Sequence, residues 1–334
     1  MPTTAASAEA GGKERPPARR RSRYVRDPSA AVLTPASLGL LETVASFRLV
    51  SLPQLVRLGG VTPVSVSPTR LSPKATQRAM RALFDAGLVD VIAAPRAALA
   101  EPGDANDSSL LFGSAPNVYS PTRAGIKLLD THGLTDGLDP PPGYGPKNAL
   151  LLRHELGVRD VRVWLTLAAR RSPGQAVKAW HDGPEAVIAL GQAQAPKVVR
   201  PDAWFVYRLG RQAGREAVLV GLLEFDRATE RGERRWAEKV AAYRSLFSGP
   251  RLREATGYAN GRVLVVCPTA RRRERLAALI AELAGPALAG RFWLIERTRL
   301  EEPGFAPSAW QRPGSQVLQP LVPASLFSAR VTGS

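Results

Sequence analysis

The 334-residue chain has little sulfur and few imidazoles: one cysteine, two methionines and three histidines. A single thiol, Cys267, excludes an internal disulfide framework and any zinc site built on several thiolates. The three histidines are scattered and form no metal-binding spacing. No stretch approaches the roughly 20 uninterrupted apolar residues that a bilayer span needs. The arginine-rich N-terminus has no apolar segment directly behind it, so neither a membrane nor a secreted protein is expected, and the expected compartment is the cytoplasm. Gly210 to Gly214 lacks the spaced glycines and the Lys-Ser/Thr of a phosphate-binding P-loop and reads as a turn. Ser108 and Ser109 have no recognisable histidine or acid partner, which leaves a serine hydrolase unsupported.

Basic residues are abundant. With 46 Lys and Arg against 29 Asp and Glu, the formal charge is +17. Residues 1–30 carry seven basic and three acidic side chains, a net +4, so most of the excess belongs to the remainder of the chain. Such a balance points to a polyanionic partner, first of all double-stranded DNA, because each neutralised phosphate releases a condensed counterion. The length suits two domains with separate cores.

Residues 1–32 are rich in Ala, Gly, Pro and Arg and have almost no apolar periodicity, which reads as a disordered basic arm. Its Arg19, Arg20 and Arg21 are either phosphate contacts or a solvated tail. From 33 to 133 a first domain is expected. Thr34-Pro35 opens one helix, Leu52 to Leu58 forms a second, and Ser72-Pro73 caps a third from Lys74 to Ala86. That third helix turns Leu83 inward and carries Lys74, Arg78 and Arg81 on the opposite face, with Gln77 beside them. Strand-like runs at 88–94 and 118–121, separated by a long polar loop, precede a helix from Thr122 to His132. Three helices followed by two strands is the order of a winged helix-turn-helix, whose third helix enters the major groove.

A Pro- and Gly-rich linker occupies 134–148. The second domain, 149–300, is expected to open with a helix of some twenty residues. Strands follow near 176–180, 198–207 and 217–225, then a helix at 232–247, a strand at 262–266, a helix at 271–283 and a last strand at 292–295. The order gives an α/β class, α+β overall, with a mixed sheet. Residues 301–334 show no regular pattern.

Asp202, in Pro201-Asp202, falls in one expected strand, and Glu224-Phe225-Asp226 ends the next. A strand period of two puts Glu224 and Asp226 on one face, where a neighbouring strand can bring Asp202. Converging carboxylates repel one another unless a hard cation sits among them, so Mg²⁺ or Mn²⁺ is the implied cofactor, with Glu155 either a fourth ligand or a group that orients the site. His154 is a structural histidine, a DNA contact or a participant at this site. Arg271, Arg272 and Arg273 begin a helix, where cations oppose the macrodipole; phosphate contact and a solvated face both remain open.

The order of Glu155, Pro201-Asp202 and Glu224-x-x resembles the PD-(D/E)XK nuclease superfamily. That resemblance implies catalytic roles for Asp202, Glu224 and Asp226, but its lysine position is occupied here by Asp226. The adjacent Arg227, or Lys239 on the following helix, is the stand-in, and the constellation is a working metal centre, a degenerate one in a binding fold, or a coincidence of spacing. Through Leu33-Thr34-Pro35, Ala75-Thr76-Gln77-Arg78, Val118-Tyr119-Ser120-Pro121-Thr122, Arg153-His154-Glu155, Arg200-Pro201-Asp202 and Glu224-Phe225-Asp226-Arg227, the chain resembles the replication-relaxation family of plasmid and mobile-element proteins. The resemblance implies a winged-helix DNA binder in replication initiation, relaxation or mobilisation. Alternatives are a metal-dependent endonuclease, or an adaptor that recruits a relaxase or replication initiator. Palindromic half-sites would mark a homodimer.

Overall fold

The computed structural model describes residues 25–59, 71–94, 99, 115–135, 149–190, 198–212, 215–228, 233–301, 304–305 and 308–323. The first unit contains α1 (Pro35–Phe47), β1 (Val50–Ser51), α2 (Leu52–Leu58), α3 (Pro73–Asp85), β2 (Val89–Ile92), β3 (Val118–Pro121) and α4 (Arg123–Thr131). Its helices start where the sequence supplies a side-chain oxygen for the unpaired amides of a first turn. Thr34 accepts from Ser37 N and Ser51 from Gln54 N, each in a reciprocal capping box. Ser72 and Thr122 cap α3 and α4 without the reciprocal bond, accepting from Ala75 N and Gly125 N. A three-stranded antiparallel sheet, in the order β1-β3-β2, closes over a core that includes Leu40, Leu55, Met80, Leu83 and Tyr119. The two-residue β1, held by the pairing of Val50 with Tyr119, is too short for periodicity to announce.

The expected disordered arm differs at its described end. Pro28–Ala30 form a 3-10 turn, Arg26 reaches Asp90 on β2 at 2.5 Å, and Asp27 N donates to Asp85 on α3. Arg19, Arg20 and Arg21, most of the 134–148 linker and most of the connection between β2 and β3 lie outside the described residues.

The remainder contains α5 (Ala149–Arg171), β4 (Ala176–Asp182), β5 (Ile188–Ala189), β6 (Val198–Val199), β7 (Ala203–Gln212), β8 (Arg215–Phe225), α6 (Glu233–Phe247), α7 (Arg251–Thr256), β9 (Arg262–Cys267), α8 (Ala270–Ala289), β10 (Phe292–Glu296), β11 (Trp310–Gln311) and β12 (Leu318–Gln319). The α/β class holds, with a seven-stranded mixed sheet in the order β12-β11-β10-β9-β8-β7-β4. Strands β8, β9 and β10 are parallel and the outer pairings antiparallel. Three expectations change. Pro201 and Asp202 lie in a turn that splits the expected 198–207 strand into β6 and β7, since proline supplies no ladder donor. Two short strands, β11 and β12, extend the sheet in the segment expected to be irregular. Helix α8 runs past Leu283, with its kink at Gly285 (φ 68°) before Pro286.

Alternation along the central strands sorts the core into two layers. Leu223, Leu264, Val266, Trp293 and Ile295 face α5, whereas Leu222, Val263, Val265, Phe292 and Leu294 face α6 and α8. Helix α5 also serves the first unit. Val158, Val161, Trp164 and Leu165 pack on the sheet, while Val163 and Leu167 complete the core of α1–α4. Beside that apolar contact, Arg159 donates to Phe47 O at 2.9 Å, Arg162 to Ser46 O at 2.6 Å and Arg170 to Leu58 O at 2.5 Å. These carbonyls end α1 and α2, so guanidinium charges from α5 meet the negative ends of two helices.

The approach of α5 to the sheet depends on Gly157. A β-carbon there would stand 2.3 Å from the Phe225 ring. Gly157→Ala is expected to lower stability by about 1–3 kcal/mol through overpacking, in spite of alanine's better helix propensity. Chemical unfolding of this variant and of Gly157→Ala/Phe225→Leu checks the cause; an unaffected single variant, or a double variant no more stable than it, would contradict the contact.

Candidate functional site

Where β8 and β9 finish and β7 begins, the described residues gather His154, Asp202, Glu224, Asp226, Lys239, Tyr243 and Arg272. Register explains the arrangement. Glu224 lies opposite Val265 of β9, and Asp226, just beyond β8, donates its amide to Val266 O. Both carboxylates turn to the α6 and α8 side of the sheet, where each meets a different helix. Lys239 Nζ and Tyr243 OH of α6 each stand 2.6 Å from Glu224, one on either carboxylate oxygen. Arg272 of α8 holds Asp226 with two N–H groups, at 2.7 and 3.1 Å. In the turn before β7, Asp202 accepts the Phe225 amide at 2.6 Å and stands 3.0 Å from His154 Nε2 of α5. Glu155 lies 3.5 Å from Arg159 on its own helix.

Glu224 is 2% exposed. Burial pushes its carboxyl up to about 7; Lys239 and Tyr243 oppose that shift and nearby Asp202 adds to it. For His154, burial favours the neutral ring, but the hydrogen bond and charge of Asp202 outweigh it and raise the pKa. The site therefore favours the protonated forms of Glu224 and His154, while every carboxylate keeps a cationic or N–H partner.

A divalent cation needs several carboxylate oxygens turned on one point. Here the oxygens of Glu224 go to Lys239 and Tyr243, those of Asp226 to Arg272, and those of Asp202 to His154 and a backbone amide. Among the described residues no three His, Cys, Asp or Glu side chains gather as a metal shell. As arranged, the donor set does not fit Mg²⁺ or Mn²⁺.

The basic residues singled out from the sequence divide into two groups. Lys74, Gln77 and Arg78 of α3 are exposed and make no hydrogen bond or ion pair among the described residues. Arg81, by contrast, pairs with Asp85 at 3.0 Å, donates to Val25 O and lies over the Phe84 ring. At the start of α8, Arg271 is exposed, Arg272 serves Asp226, and Arg273 is buried against Gln311 at 2.9 Å. The cations that open α8 thus have intramolecular partners at two of three positions. Tyr243 and Arg272 are the site members whose roles the sequence did not assign. Tyr243, four residues after Lys239 and on the same helical face, carried the clearer signal.

Fold and site together describe a mixed α/β protein with a compact helical unit ahead of a seven-stranded sheet, and with paired carboxylates at the sheet's end. The chain belongs to the replication-relaxation family, whose model matches residues 41–260. No curated protein and no solved structure matches it. No helix among the described residues is long and apolar enough to cross a membrane.

Both titrating groups give stability of the same sign. A carboxyl raised from 4.5 to about 7 lets the folded state bind more protons than the unfolded state within that window, so stability falls as pH rises through it. The raised His154 contributes stability that is complete below its ordinary value and is lost as pH rises through its folded value. Urea midpoints of the wild-type protein are expected to fall across this range, and those of Glu224→Gln to fall less. Parallel pH profiles would show that Glu224 does not titrate there.

Proposed function

We propose that this protein binds duplex DNA through its N-terminal unit as a winged helix, and acts in the replication, relaxation or mobilisation of a plasmid or mobile element. The observation that carries the reading is the exposed, unengaged face of Lys74, Gln77 and Arg78 on α3, in a chain of net charge +17. Arginine and lysine supply phosphate contacts and bidentate donors to guanine, and glutamine suits adenine, so this face has the chemistry of a groove reader. Arg81 takes a different part in this reading. Bound to Asp85 and Val25, it fixes residues 25–27 against α3. Family membership supports the setting, because replication and relaxation both act on DNA.

The second unit is read as a nuclease-like fold whose acidic site holds its elements together. Supporting this is the ring of partners already described: Lys239, Tyr243, Arg272 and His154 draw α6, α8 and α5 onto the end of β8.

Fluorescence anisotropy on duplex DNA at fixed salt tests the binding reading. Lys74→Ala and Arg78→Ala are each expected to weaken binding by roughly 1–3 kcal/mol where they meet a base, and to lower the salt slope by about one where they meet a phosphate. A double variant with unchanged affinity and slope would overturn the role of α3. With supercoiled plasmid and Mg²⁺ or Mn²⁺, a mobility shift without nicking is expected; nicking abolished by Asp202→Ala would reinstate the endonuclease reading.

A further inference from the structure

At the other end of the sheet lies a second concentration of charge. A cavity of about 560 Å³ opens where β9 and β10 begin, and Arg262, Arg291 and Arg312 line it. Arg262 pairs in register with Gly221, three residues before Glu224, which puts it roughly 10 Å along β8 from the acidic site. Among the described residues no aspartate or glutamate lines this cavity. The hydrogen bonds of the three guanidiniums are few and neutral. Arg262 donates to Leu321 O, and Arg291 to Asn260 Oδ1 at 3.3 Å and Gly261 O at 3.5 Å. The Arg312 guanidinium makes no hydrogen bond or ion pair among the described residues.

Three permanent charges thus share one cavity with no carboxylate among its described lining residues. Burial lowers the proton affinity of Arg262, and Arg312 and Arg291 lower it further, the signature of like charges held together. By contrast, Arg159 has Asp182 beside it and Arg297 has Asp160. Aromatic faces hold these three in place. The guanidiniums of Arg262 and Arg312 lie 4.6 and 5.5 Å from the Trp293 ring centre, and that of Arg291 lies 5.3 Å from Phe247. Trp293 also lines the cavity, and its buried Nε1 has no hydrogen-bond partner among the described residues.

We propose that Arg262, Arg291 and Arg312 form a phosphate-binding site. A guanidinium fork matches the oxygens of a phosphate in two parallel bonds, and most of the donors here are uncommitted. An anion of two or more charges would turn the mutual repulsion of the arginines into attraction. The ligand is a phosphate group, supplied either by a nucleic-acid backbone or by a free phosphate compound. The site stands apart from the α3 reading and does not depend on it.

Calorimetric titration of the full chain with pyrophosphate, against sodium chloride of matched ionic strength, tests the proposal. Wild-type protein is expected to bind pyrophosphate. The exposed Arg312→Gln, whose fold circular dichroism verifies, is expected to bind it on the order of tenfold more weakly. Lys74→Ala/Arg78→Ala should bind pyrophosphate as the wild type does, so failure of the α3 reading and failure of this one are distinguishable. If Arg312→Gln also lowers the salt slope for duplex DNA by about one, the phosphate belongs to the nucleic-acid backbone. If pyrophosphate binding weakens while the slope stays fixed, a free phosphate compound is the ligand. Absence of pyrophosphate binding to the wild type, or equal binding by a folded Arg312→Gln, overturns the proposal.

Discussion

Helix α5 is the constraint on which both halves of the structure depend. It is 23 residues long and amphipathic twice over, with one stripe against the seven-stranded sheet and another against the core of α1–α4. Beyond the apolar contact, the carbonyls that finish α1 and α2 carry the negative ends of those helices. Arg159, Arg162 and Arg170 donate to them, and Asp182 lies 2.9 Å from Arg159 so that its charge is not buried alone. Gln54 of α2 adds bonds to Leu156 O and Asp160, each at 2.8 Å. A helix that opens one unit therefore acts as the cap of the other, and the two share one hydrogen-bonded seam.

The same helix positions the acidic site. Gly157 admits the Phe225 ring, and His154, one turn before it, meets Asp202. Phe225 sits between Glu224 and Asp226 in sequence but faces the opposite side of the sheet, packed toward α5, while its neighbours face α6 and α8. Strand alternation thus distributes one tripeptide among three helices. Just beyond, Ala228 adopts φ 54°, a left-handed conformation that favours glycine.

Much of this was legible in the sequence because local chemistry announces it. Thr34, Ser51, Ser72 and Thr122 sit at helix starts with the hydroxyl that a first turn requires, and α2 and β3 begin and end where their patterns do. The apolar runs at 217–225 and 262–266 marked the central strands. What was illegible depends on distance along the chain. Nothing near Asp226 indicates that Arg272, 46 residues later, takes both its oxygens, and nothing near Phe47 indicates Arg159. A two-residue strand such as β11 has no period to read; its neighbour β10 creates it. For the same reason the carboxylates looked like a cation shell from sequence, where their spacing is visible and their partners are not.

The excess of positive charge also reads differently once its members are placed. A part of it is internal: Arg159 and Arg162 finish helices, Lys239 and Arg272 answer buried carboxylates, and Arg273 is spent on Gln311. Net charge by itself therefore overstates what is available to a polyanion. What remains is not spread evenly. Lys74 and Arg78 stand on the outer face of α3, and Arg262, Arg291 and Arg312 stand around one cavity at the far end of the sheet. Cations that a fold needs are found next to its carbonyls and carboxylates. Neither group is paired with a carboxylate among the described residues, although Arg262 and Arg291 donate to the Leu321 and Gly261 carbonyls, and a phosphate from outside the chain is the partner proposed for each.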